Sequence, residues 1–206
     1  MPKKYLNISA KNKGYIMNII TGYAKGMRLE TLEGDATRPT SQRVKEAVFS
    51  MIQFDIEGAN VLDLFAGSGQ LGLEALSRGA KKASFCDLSR DAVDIIIKNA
   101  KKSKMFDKCR ISTCDYTQMI RGIAGKEKYD IVFIDPPYKD NVICDVLKKL
   151  YNSGALSENA IIVCESGVED IFGDDEETRS KFYICKKSRY SITYITLLKP
   201  NIGGEK

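Results

Sequence analysis

Apolar residues recur along this chain at two spacings, and the switching between them lays out its elements. Val44, Ala47, Val48, Met51 and Ile52 fall at i, i+3, i+4, i+7 and i+8, which predicts an amphipathic helix ending near Phe54. After Gly58, short apolar and β-branched runs predict strands at 60–65, 83–87, 109–113, 129–134 and 160–165. Helical patterns at 69–78, 90–102, 116–122 and 141–151 lie between them. Such alternation implies a parallel sheet covered on both faces. The end of the chain differs. Phe182–Cys185 and Ser191–Leu197 are separated only by Lys186–Tyr190, too short for a parallel crossover, so the last two strands should pair antiparallel. Upstream, two strand-like runs within Met17–Leu32 flank Tyr23-Ala24-Lys25-Gly26 as a hairpin, and Thr40 and Ser41 are candidate caps for the first helix. Residues 1–16 are basic and aperiodic and are expected to form a flexible tail. The expected organisation is therefore a tail at 1–16, a hairpin-and-helix extension at 17–55, and one α/β domain at 56–200.

Composition narrows the chemistry. With 206 residues the chain is long enough for one well-cored domain. No apolar run approaches a membrane span and no signal segment opens the chain, so the protein is expected in the cytosol, away from membranes. Histidine is absent, which removes Ser-His-Asp and Cys-His schemes and argues against a catalytic zinc; no metal is expected. The six cysteines show no CxxC spacing and mostly sit in or beside apolar runs, as reduced core thiols do. Catalysis must then rest on carboxylates, backbone groups or a cofactor with its own reactivity. The net charge of +5 permits an anionic partner without requiring one.

Two corners carry that chemistry. The run Tyr129–Ile134 stops at Asp135-Pro136-Pro137-Tyr138. Two successive prolines remove two backbone donors and stiffen the turn, leaving carbonyl acceptors beside an acid and an aromatic ring. That arrangement suits a planar exocyclic amine held still for attack, although Asp-Pro and Pro-Pro are also ordinary strand stops. The second corner is Val61-Leu62-Asp63-Leu64-Phe65-Ala66-Gly67-Ser68-Gly69-Gln70-Leu71-Gly72. Gly67, Gly69 and Gly72 satisfy GxGxxG, and Asp87 follows Gly67 by 20 residues, a spacing compatible with a dinucleotide. Asp63 points elsewhere, because a pyrophosphate gains nothing from a nearby carboxylate whereas a cationic amino-acid moiety does.

The acid before the glycines resembles the S-adenosylmethionine site of Rossmann-like methyltransferases. From Met17 to Lys199 the chain resembles the RsmD family of 16S rRNA guanine-N2 methyltransferases. The resemblance rests on Asn18-Ile19-Ile20-Thr21-Gly22, Thr37-Arg38-Pro39-Thr40, Arg43-Val44-Lys45-Glu46-Ala47, Asp63–Gly69, Leu71–Ala80 and Asp135–Tyr138. It leaves out the tail and the acidic segment Asp174-Asp175-Glu176-Glu177. It implies a seven-stranded, mostly parallel sheet with an antiparallel last strand, preceded by a small hairpin and helix. It also implies that S-adenosylmethionine is the methyl donor and S-adenosylhomocysteine the product. Asp63, Phe65, Gly67 and Gly69 would then hold the methionine moiety, Asp87 the ribose, and Asp115 the neighbourhood of the adenine, although Asp115 equally suits an N-cap.

On the same resemblance, Asp135, Pro136, Pro137 and Tyr138 would hold the target base. Arg38, Arg43 and Lys45 around the first helix, with Lys25 and Arg28 on the hairpin, would track RNA phosphates or form a solvated basic face. The expected partner is small-subunit rRNA or an assembling small subunit, met by a monomer. The proline corner alone does not separate guanine N2 from adenine N6 or cytosine N4. A non-catalytic cofactor- or RNA-binding module and a nicotinamide oxidoreductase are the remaining alternatives, opposed by the intact corner and by Asp63 respectively.

Overall fold

Tyr129–Ile134 is an almost unbroken apolar run, and as strand β6 it lies in the middle of the sheet with its core side chains excluded from water. The computed structural model describes residues 17–32, 42–137 and 142–202. Before β6 come β1 (Met17–Asn18), β2 (Arg28–Leu29), α1 (Gln42–Met51), β3 (Asn60–Asp63), α2 (Gln70–Ser77), β4 (Lys82–Asp87), α3 (Arg90–Lys102), β5 (Cys109–Thr113) and α4 (Tyr116–Ile123). After it follow α5 (Ile143–Ser153), β7 (Leu156–Ser166), α6 (Glu176–Ser180), β8 (Phe182–Tyr190) and β9 (Thr193–Pro200). The sheet order is β5-β4-β3-β6-β7-β9-β8. The first five of these strands run parallel, and β9 pairs antiparallel with both β7 and β8. The seven-stranded, mostly parallel sheet expected from the sequence is therefore present.

Alternation along the strands feeds two apolar layers. Val61, Phe85, Ile131 and Phe133 join one layer with residues of α1, α2 and α3, whereas Leu62, Cys86, Val132 and Ile134 join the other with residues of α4 and α5. Ile19, Val48, Phe49 and Ile52 belong to the first layer, so the hairpin and α1 share their core with the sheet.

Glu74, fully buried on α2, fixes that docking. Its carboxylate accepts the N–H groups of Ile20 at 2.7 Å and Thr21 at 3.0 Å, and meets Arg78 Nε at 2.8 Å. Ser77 adds to it by donating to the Thr21 carbonyl at 2.6 Å.

Two local expectations change, and one segment without an expectation gains structure. The segment Lys186–Tyr190 is strand rather than loop, and only Ser191 and Ile192 join β8 to β9, with Ser191 at φ 58°. The hairpin at 17–32 is shorter than expected, with two residues per strand paired Met17↔Leu29 and Asn18↔Arg28. The segment after Asp174 forms the short helix α6, capped by Asp175 accepting from Thr178 N–H at 2.8 Å. The proposed caps Thr40 and Ser41 lie outside the described residues.

Candidate active site

The crevice forms where sequence-adjacent connections leave the sheet in opposite directions, between β3 and β6. In open α/β sheets, ligands bind outside the carboxyl ends of the strands at this point. Here the ends of β3, β4, β5, β6 and β7 deliver Phe65, Asp87, Asp115, Asp135 and Glu165 to one cleft of about 480 Å³.

Three glycines shape the near wall for three reasons. Gly67 takes φ 52°, and the position a Cβ would occupy is open space, so its backbone is accessible from the cleft. Gly69 opens α2 at φ 78°. Gly72 lies within α2, where a Cβ would come 2.3 Å from the Phe85 ring, so glycine is what allows helix and strand to approach. The loop is tied down from outside: Asn99 Nδ2 donates to the Ser68 carbonyl at 2.9 Å, while its Oδ1 accepts from Glu30 N–H at 2.8 Å.

Asp87 closes the loop from the side. Its Oδ2 accepts the Gly67 N–H at 2.8 Å and its Oδ1 accepts the Ser89 N–H at 2.8 Å. Each carboxylate oxygen keeps a further lone pair for a hydroxyl donor. Asp115 lines the cleft and also caps α4, accepting the Gln118 N–H at 2.7 Å, which is its N-cap reading. Phe65 packs against Tyr116 with ring centroids 5.6 Å apart. Tyr116 is held by donating to Asp145 at 2.8 Å; burial first, and then that carboxylate, raise its phenol above the ordinary range. Leu88 stays 74% exposed at the rim, an apolar surface suited to cover by a flat ligand. The open loop backbone, the Asp87 carboxylate and the apolar surfaces of Phe65 and Leu88 fit an S-adenosyl group.

Asp63 sits deeper than the acids lining the cleft. It is buried behind the loop and does not line the cleft; its Oδ2 accepts the Gly72 N–H at 3.2 Å. Burial pushes its carboxyl up to about 7, against the pull of the Gly72 and Phe65 N–H groups, and Asp87 adds to the rise. The acid inside the strand thus ties the glycine turn to β3.

On the far wall, Asp135, Pro136 and Pro137 line the same cleft, with Pro136 buried. Tyr138 lies outside the described residues, as does Arg38. Arg28 and Arg43 are exposed on β2 and α1. Lys45 is a correction. It is 1% exposed, its Nζ donates to the Asn18 carbonyl at 2.6 Å and pairs with Glu74 at 3.5 Å, so it cannot track phosphates. Burial holds its ammonium below the ordinary lysine range, with Glu74 pulling the other way. The helical period of the first helix already put position 45 next to the apolar Val44 and Val48, and that neighbourhood was the signal to read. Sequence reasoning also passed over Glu74 and Glu165, although Glu165 closes an apolar run as Asp87 and Asp135 do.

Sheet order, glycine loop and proline corner together define a Rossmann-like methyltransferase of the kind that uses S-adenosylmethionine. The solved structure of yhhF from Escherichia coli matches with a TM-score of 0.77 at 29% identity, covering 90% of this chain and 98% of that one. A relative from Haemophilus influenzae named Ribosomal RNA small subunit methyltransferase D is 33% identical, over 80% of this chain and 84% of its own. YlbH of Bacillus subtilis is 33% identical over 89% of this chain and 98% of its own. The family model described as Conserved hypothetical protein 95 matches residues 17–199. The chain belongs to that family, the RsmD methyltransferases.

Proposed function

We propose that the chain transfers a methyl group from S-adenosylmethionine to the exocyclic N2 amine of a guanine in small-subunit rRNA. The observation that carries this reading is the shared cleft: the acceptor corner Asp135-Pro136-Pro137 faces the same space as the Gly67 loop and Asp87. The RNA follows from relatives named Ribosomal RNA small subunit methyltransferase D in Haemophilus influenzae and Escherichia coli.

S-adenosylmethionine supplies an electrophilic methyl on a sulfonium, and the protein supplies its placement. Asp87 accepts from ribose hydroxyls, Asp115 stands beside the adenine, and the backbone at Gly67 lets the ligand approach. The guanine amine is a weak nucleophile because its lone pair is delocalised into the ring. Asp135 and the Pro136 carbonyl accept its two N–H groups and hold it closer to tetrahedral geometry. As the N2–carbon bond forms, the carbon–sulfur bond breaks and its electron pair stays on sulfur. The proton then shed by N2 passes to Asp135 or to water. Orientation and electrostatic complementarity lower the barrier without a histidine base. Tyr138 stacks on the unstacked base, worth about 1–3 kcal/mol. Arg43 and Arg28 meet the phosphates, in the cytoplasm where ribosomes assemble.

The test is Asp135→Ala. Methyl transfer should fall at least 100-fold while calorimetric S-adenosylhomocysteine affinity stays within a few-fold. Near wild-type turnover would remove Asp135 from the chemistry. Tight NADH binding with no S-adenosylhomocysteine binding would overturn the cofactor.

A further inference from the structure

The proline corner grips an amine, and three nucleobases carry one. What separates them is the ring nitrogen beside that amine. In guanine it is N1–H, a donor; in adenine N1 and in cytosine N3 it is a lone-pair acceptor. A protein acceptor beside the amine-binding corner therefore selects guanine and repels the other two.

Glu165 occupies that place. It is the penultimate residue of β7 and is 6% exposed. The parallel register ends with Phe133↔Val163 and Ile134↔Cys164, and Asp135 and Glu165 are the next residues along the two chains. Adjacent strands lie ~4.8 Å apart, and equivalent positions in register face the same side. Both acids line the 480 Å³ cleft. Glu165 also lines a second cavity of about 310 Å³, which shares Pro136, Pro137 and Val142 with the first and is further lined by Ile171 and Phe172. No residue of the glycine loop lines that cavity, whose wall is largely apolar. The turn after Glu165 is held by Ser166 Oγ donating to the Val168 carbonyl at 2.5 Å. We infer that Glu165 is the specificity-determining residue for the target base, accepting guanine N1–H while Asp135 and the Pro136 carbonyl hold N2. The inference rests on the guanine-N2 reading proposed above and supplies what the corner alone lacks.

The test uses the full chain and small-subunit particles bearing either guanine or 2-aminopurine at the methylated nucleotide. 2-Aminopurine keeps the 2-amine and replaces N1–H with a lone pair. The wild-type chain should favour guanine on the order of 100-fold in kcat/KM. Glu165→Gln presents a carboxamide that can turn an N–H toward N1. It should shrink that preference at least tenfold, with S-adenosylhomocysteine affinity unchanged. Equal wild-type rates on the two particles overturn the inference while leaving guanine methylation standing, and they require no variant to fold. A Glu165→Gln preference equal to the wild-type value overturns it too. Adenine-N6 product from the wild-type chain overturns the inference and the guanine reading together.

Discussion

Asp63 and Lys45 are opposite charges in similar sequence settings, each set into an apolar pattern, yet they do different work. Asp63 retains a proton up to about pH 7 in the folded chain, whereas an unfolded chain loses it near pH ~4. The folded state therefore binds the extra proton between those values, so stability falls as pH rises through the window. Asp63→Asn removes that dependence. Between pH 5 and pH 8 the wild-type chain should lose on the order of 2–3 kcal/mol relative to the variant, read from urea titrations at both pH values. Parallel curves would show Asp63 ionised throughout. Lys45 instead balances Glu74 in the core. Lys45→Ala should cost about 3–5 kcal/mol of stability by leaving Glu74 under-compensated. Arg43→Ala, on the exposed face of the same helix, should leave stability within about 0.5 kcal/mol. It should instead flatten the RNA-binding salt slope by roughly 0.7–0.9 for each phosphate that Arg43 no longer neutralises. The contrast was not legible from charge alone. The helical neighbours Val44 and Val48 mark position 45 as inward, but its partner shows only once α2 brings Glu74 to it, a contact 29 residues along the chain.

At the scale of elements, the parallel core was legible because its strands are short apolar runs separated by helical periods. The Gly72 contact was legible only as a motif. Its physical content is the Phe85 ring 2.3 Å from where a Cβ would stand, so Gly72→Ala must push α2 away from β4. That overpacking should cost about 1–3 kcal/mol in denaturant unfolding and weaken cofactor binding through the displaced loop. An unchanged midpoint would mean the ring swings aside. The second half of the edge strand β8, Lys186–Tyr190, was hidden for the opposite reason. Tyr183 through Lys187 are all exposed, so no alternation marks them, and a register shift between Ile184 and Lys186 breaks the period further. Pairing with β9, rather than side-chain burial, makes this segment a strand.

For the whole molecule, the site is where five strand ends meet, and the sequence disclosed three of its four acids, Asp87, Asp115 and Asp135, because each closes an apolar run or starts a helix. What it did not disclose is depth: Asp63 lies behind the wall, while Asp87, Asp115, Asp135 and Glu165 line it. Depth depends on register and twist, which no single strand encodes. The extension that carries much of the family resemblance is held against α2 by Glu74 and Ser77, so several of its motif residues serve docking. The account turns on the identity of the product. Small-subunit particles lacking their methyl groups, incubated with the chain and methyl-labelled S-adenosylmethionine, should yield label in N2-methylguanosine at one nucleotide after digestion and mass spectrometry. Label in N6-methyladenosine, or none above the Asp135→Ala background, would contradict it.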